Sequence, residues 1–131
     1  MLNFTSAEKR FLQKHELARL ATSAVGLMPH VVPVSYVFSD GTFLIAIDYA
    51  TRKYQNLVRN PQVALVVDAL RPNRGVMVQG HAKIIEAGAE FQSFYEVFRK
   101  KFSWVRAEPW KEGEAPFIRI IPSRKASWGF R

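Results

Sequence analysis

Apolar and polar positions alternate with the period of a strand over most of the chain, and switch in a few stretches to the period of a helix. The first helical stretch opens at Thr5-Ser6-Ala7-Glu8, a capping box in which the Thr hydroxyl takes a free backbone N–H while Glu8 reaches back. Phe11 and Leu12 form its buried stripe, which gives way near Ala18. Residues 18–25 are strand-like, and Gly26 supplies a turn. Residues 28–38 form a long extended segment, because Pro29 and Pro33 exclude helix. His30, Val32, Val34, Tyr36 and Phe38 lie on one face; Val31, Pro33, Ser35 and Val37 lie on the other. A proline inside a strand removes a ladder donor, so this strand is expected at an edge, at a bulge or facing a ligand. Ser39-Asp40-Gly41 has the composition of a hairpin turn, and residues 42–48 return as a strand.

Residues 51–60 predict a short helix with Tyr54, Leu57 and Val58 facing the core, ended by Pro61. Residues 63–67 are a continuous apolar run, expected to be buried on both faces. Residues 71–75 are a loop and 76–85 a strand, with Gly80 marking a bulge or a barrel bend. Phe91, Phe94, Tyr95, Phe98 and Phe102 then fall at helical spacing, a stripe suited to core or dimer packing. Residues 104–114 are irregular, with Trp104 and Trp110 beside Pro109 expected to cap a pocket or cover the core. Residues 116–121 form a strand ending at Pro122, and 126–130 a last extended piece. Hairpin links in so β-rich a chain predict a mainly β (α+β) fold, an antiparallel barrel or sandwich rather than a parallel sheet.

Composition changes this picture little. A chain of 131 residues with 48% apolar and 13% aromatic residues supports one domain, 1–131, with a substantial core. The sequence has no cysteine, which fits a cytoplasmic protein and excludes thiolate metal sites. No apolar run is long enough to span a membrane, and the N-terminal residues show no secretory pattern. His15, His30 and His81 lack metal-ligand spacing and no carboxylates accompany them, so no metal is expected. Charge matters more: 19 Lys+Arg against 11 Asp+Glu give a net +8, which favours anionic ligands. The cations are dispersed and no nucleic-acid module is recognisable, so a small-molecule anion is the expected partner.

Thr51-Arg52-Lys53 concentrates that charge where a strand gives way to a helix. Two cations in a first helical turn oppose the helix dipole by about 0.3–1 kcal/mol each. An anion there reverses the sign, since free amides, the Thr hydroxyl and both cations can converge on a phosphate. The alternative is that both side chains splay into solvent.

In order and spacing, His30-Val31-Val32-Pro33-Val34-Ser35, Thr51-Arg52-Lys53, the run from Arg59 to Val66 and the run from Arg74 to Gly80 resemble the pyridoxamine 5′-phosphate oxidase-related family of FMN-binding split barrels. The opening Ala18-Arg19-Leu20-Ala21-Thr22 and closing Ser127-Trp128-Gly129-Phe130 suit it too. The resemblance implies an antiparallel split β-barrel with flanking short helices, homodimeric, with cofactor sites at the subunit interface. It places Arg52 and Lys53 near the FMN phosphate, with Thr51 beside them. His30, Val31, Val32, Pro33, Val34 and Ser35 line the phosphate and ring, Ala46 and Ile47 form a second ring-side strand, and Trp128 approaches from the other subunit. In pyridoxamine 5′-phosphate oxidase proper, His30 would be an arginine, Ser35 a lysine and Gly75 a glutamine, and an Arg-x-His would follow. These departures point away from vitamin B6 oxidation and towards the short FMN- or deazaflavin-dependent (coenzyme F-420) reductases.

The implied function is hydride transfer between FMN, or coenzyme F-420, and an unidentified small conjugated molecule. The cofactor performs the redox step and the protein orients it. A proton for the substrate would come from water, Tyr36 or His30; no catalytic acid–base pair is evident. The alternative is a non-catalytic flavin-binding carrier or sensor.

Overall fold

The computed structural model describes residues 2–24 and 26–130. The capping box forms as the sequence implies: the Glu8 amide donates to Thr5 Oγ1 at 3.1 Å and the Thr5 amide to Glu8 Oε1 at 2.8 Å. It starts α1 (Ser6–Lys14), followed by β1 (Leu17–Ser23), β2 (Pro29–Ser35), β3 (Val37–Ser39), β4 (Thr42–Ala46), α2 (Arg52–Arg59), β5 (Gln62–Ala69), β6 (Arg74–Ile85), α3 (Gly88–Lys101), α4 (Ser103–Ala107) and β7 (Phe117–Trp128). The strands pair antiparallel in one sheet of order β2-β1-β5-β6-β7-β4-β3. In this order β2 and β3 are opposite edges, yet in the chain only Tyr36 separates them. The sheet therefore has to curl until its edges meet, which makes it a split barrel.

Tyr36 fixes that corner. It is fully buried, and its phenol donates to the Leu12 carbonyl at 2.6 Å. Its amide donates to the Glu16 carbonyl at 3.1 Å. Lys101 Nζ, from the end of α3, donates to the Tyr36 carbonyl at 3.1 Å and the His15 carbonyl at 2.7 Å. Burial pushes the Tyr36 phenol well above its usual range, so it stays protonated.

Two cores result. Inside the barrel, Leu20, Phe43, Ile45, Leu65, Val78 and Ile120 pack together, with Phe4, Phe11 and Leu12 added from α1 and the segment before it. On the outer face of β3, β4 and β7, the α3 aromatics cover Val37, Leu44 and Phe117; the Phe91 and Phe98 rings lie 5.1 and 5.3 Å from that of Phe117. The Phe91–Phe102 stripe is thus core.

Several expectations change. The extended run 28–38 breaks at Tyr36 into two strands, and β4 ends at Ala46 rather than 48. Pro33 does sit on an edge strand. The strand over 18–25 runs to Ser23, and Val25 lies outside the described residues. Val63, Leu65 and Val67 are buried, but Ala64 and Val66 between them are only half-buried. The strand covered on both faces is β4, because α3 packs behind it. Val58 is 59% exposed; α2 instead buries Leu57 and Asn56, whose Nδ2 donates to Thr22 Oγ1 at 2.9 Å. Pro122 does not end its strand, because it sits opposite Gly80 at a β-bulge, where no ladder donor is needed. A Cβ on Gly80 would lie 2.1 Å from the Ile121 carbonyl oxygen, so this close approach requires glycine. Residues 103–107 form α4 where irregular chain was expected.

Tyr36→Phe strands the Leu12 carbonyl, and we expect it to lower unfolding free energy by about 1–2 kcal/mol in urea denaturation. Glu8 offers a pH-dependent test. Its carboxylate is 3% exposed and takes Lys125 Nζ at 2.5 Å and Ser127 Oγ at 2.6 Å. Burial alone raises its pKa, but Lys125, Ser127 and the Thr5 amide together outweigh burial and hold it below the ordinary 4.5. A folded-state value below the unfolded one means stabilisation that is complete above the ordinary glutamate range and lost as pH falls through the folded value. Glu8→Gln should cost about 2–4 kcal/mol near neutral pH. In a pH series of denaturation curves, the gap to wild type should close as pH falls below 4.5.

Candidate functional site

Where β4 ends, a preset turn leads into α2. Asp48 Oδ1 accepts the Ala50 amide at 3.0 Å, and the Thr51 hydroxyl donates to the Asp48 carbonyl at 2.7 Å. The same hydroxyl caps α2 by accepting the Tyr54 amide at 3.4 Å. The first turn holds no acidic side chain. By helix geometry the Arg52 and Lys53 amides have no intrahelical acceptor, so the helix start presents free donors and positive charge.

A broad cleft of about 370 Å³ lies against this helix start. Pro33, Val34 and Ser35 of β2 line it, together with Ala46, Ile47, Thr51 and Lys53. Seven of the residues singled out from the sequence, drawn from three separate segments, therefore converge on one cavity. It falls within the size range of small-molecule sites.

Arg52 parts from Lys53. It lines a neighbouring cleft with Tyr49, Tyr54, Gln55 and Arg59, so the adjacent cations serve two surfaces. His30, Val31 and Val32 line neither cleft. His30 and Val32 turn into the barrel, where His30 Nδ1 is buried without an acceptor, and Val31 points outward and is 64% exposed. Trp128 also lies outside the cleft of its own chain. Its ring covers Gly75, where a Cβ would be 2.3 Å from the indole, and Nε1 donates to Asn73 Oδ1 at 3.3 Å.

The sequence ties Trp104 and Trp110 to pocket or core without choosing between them and does not single out Asp48, Glu108 or Ala115; all five line the cleft. Trp110 does both jobs: its ring packs 5.6 Å from Phe117 and 4.9 Å from Tyr95, and it stacks with Trp104 at 6.1 Å and 11°. Its Nε1 is buried without an acceptor. The two tryptophans beside Pro109 were the available signal, but only α3 fixes which way they face. Tyr36 is excluded as a proton donor, because its phenol is buried and held by Leu12.

An aromatic wall and a cationic helix start suit a planar ring with an anionic tail, as a flavin has. Among the described residues no cluster of His, Cys, Asp or Glu could hold a metal, and no helix is long and apolar enough to cross a membrane.

Fold and cleft together define an antiparallel split barrel with a broad cleft against a helix start. The sequence profile of the pyridoxamine 5′-phosphate oxidase family matches residues 4–128, and the chain belongs to that family. It is 29% identical over 135 residues to the 5a,11a-dehydrotetracycline/5a,11a-dehydrooxytetracycline reductase of Streptomyces rimosus, covering 96% of this chain and 83% of that protein. Among solved structures, the haem-storage protein HutZ of Vibrio cholerae superposes with a TM-score of 0.83 at 19% identity, over 93% of this chain and 92% of that one. An F-420 reductase superposes with a TM-score of 0.74 at 18% identity, over 94% and 98%.

Thr51→Ala should lower stability by about 1 kcal/mol, and Thr51→Ser should restore most of it. Paired thermal melts check this.

Proposed function

We propose that the protein is a flavin- or deazaflavin-dependent oxidoreductase that moves a hydride between its cofactor and a small conjugated molecule, acting as a homodimer. The observation that carries this reading is the convergence of Pro33, Ser35, Ala46, Thr51 and Lys53 on one cleft at an acid-free helix start. The reductase relative and the F-420 reductase fold support the same chemistry.

When bound, the cofactor supplies the hydride chemistry. Lys53, the Thr51 turn and the free amides of α2 would hold its anionic group. Ser35 and the neighbouring backbone of β2, with Ala46 and Ile47, would line its ring. Trp104 and Trp110 form the wall that limits water and orients a planar substrate. The carboxylates at the cleft, Asp48 and Glu108, are both exposed, so the proton that completes a reduction is assigned to solvent.

The homodimer is supported by the outer face of β2, β1, β5, β6 and the end of β7, which presents exposed apolar side chains in Val31 and Trp128. By strand register, Val31, Ala21, Ala64, Val66, Met77 and Trp128 share that face. A second copy seated there would cover Val31 and Trp128, which are exposed and line no part of the cleft within one chain.

Absorbance titration of the purified protein, separately with FMN and coenzyme F-420, tests the proposal. One cofactor should bind in the micromolar range. Lys53→Ala should weaken it by at least about tenfold, and Arg52→Ala by less. Reduction of the bound cofactor by a nicotinamide donor, followed by oxidation by an added conjugated substrate, supports catalysis. Binding without turnover favours a carrier or sensor. If neither cofactor binds, or Lys53→Ala binds as wild type does, the site assignment fails.

A further inference from the structure

A second cavity, of about 250 Å³, lies between α1 and the loop joining β5 to β6, and shares no lining residue with the cleft described above. Arg10, Lys14 and His15 reach it from the α1 side, Arg71 from the loop and Arg74 from the start of β6. No carboxylate lines it. Among the described residues none of these four Lys and Arg side chains forms an ion pair. Arg10 and Lys14 stand four apart on one helix face, where like charges repel by about 0.2–0.5 kcal/mol. A cluster this one-sided leaves a positive local field that favours an anion.

Two details show a built site rather than a chance crowding of surface cations. Arg74 Nε is buried and has no acceptor, although a buried donor ordinarily has one. Its guanidinium is held over the Phe130 ring, 5.7 Å from the centroid, which limits the fork's freedom before any ligand arrives. His15 is fixed in the same way. Its Nδ1 lies 2.8 Å from the Phe11 carbonyl, and its ring rests on Phe11 with centroids 4.1 Å apart. Phe11 in turn floors the cavity.

We infer that this cavity is a second ligand site, for a compact multiply charged anion of the diphosphate or polycarboxylate class. The preset guanidinium takes oxygen acceptors through its fork, and Arg10, Lys14 and Arg71 neutralise the remaining charge from the rim. The volume admits two phosphate groups or a small tricarboxylate, and is too small for a flavin ring system together with its tail.

Isothermal titration of the whole protein with inorganic pyrophosphate, and in a parallel series with citrate, tests the assignment. Binding of pyrophosphate, citrate or both at concentrations up to about 1 mM is expected, and the preferred probe separates the phosphate from the carboxylate source. Arg10→Ala combined with Arg71→Ala changes two exposed side chains and should leave the fold intact, as circular dichroism would verify. It should weaken the preferred probe by at least about tenfold, and Lys53→Ala should not. The inference is overturned if neither probe binds, if the double variant binds as wild type does, or if the loss follows Lys53→Ala instead.

Discussion

The architecture depends on one residue that carries the chain from one edge of the sheet to the other. Tyr36 separates β2 from β3, and every polar group it owns is bound: amide to Glu16, carbonyl to Lys101, phenol to Leu12. These contacts tie the corner to the α1 region and to the end of α3, so barrel curvature, the helix beneath it and the helix behind it are set together. The corner also aims β2 at the cleft. Pro33, Val34 and Ser35 reach the cleft because the chain turns immediately after them.

The site follows from that geometry by a short path. β4 runs back from the hairpin, ends at Ala46, and hands over to a turn built by Asp48 and Thr51. The start of α2 then faces the end of β2. Lys53 falls on the cleft side and Arg52 on the other, because successive helical residues point about 100° apart. The adjacent cations are therefore not interchangeable, although they look alike in sequence.

Local chemistry was the legible part. The capping box, the Asp40-Gly41 turn with both φ values positive, the aromatic stripe and the bulge at Gly80 all follow from residue type at fixed spacing. Seven residues that line the cleft were also named, through the family resemblance rather than through periodicity. What alternation cannot show is which neighbour covers a face. Residues 63–67 look two-sided because they are all apolar, whereas β4 is the strand sandwiched between two cores. Val58 looks internal, but Asn56 takes the interior place by pairing with Thr22, 34 positions away in the chain. Pro122 looks like a terminator because its bulge partner lies on another strand.

The position of β7 has a consequence for how the protein is made. This strand pairs with β6 on one side and β4 on the other, and it supplies Lys125 and Ser127 to Glu8 across 117 and 119 positions. Without β7, the ribbons β2-β1-β5-β6 and β3-β4 share no ladder hydrogen bonds and meet in the chain only at Tyr36, and the Glu8 carboxylate lacks the Lys125 and Ser127 partners that it has in the folded chain. Assembly is thus vectorially incomplete until the last strand inserts as a keystone, and contacts this distant in sequence favour slow, late cooperative closure.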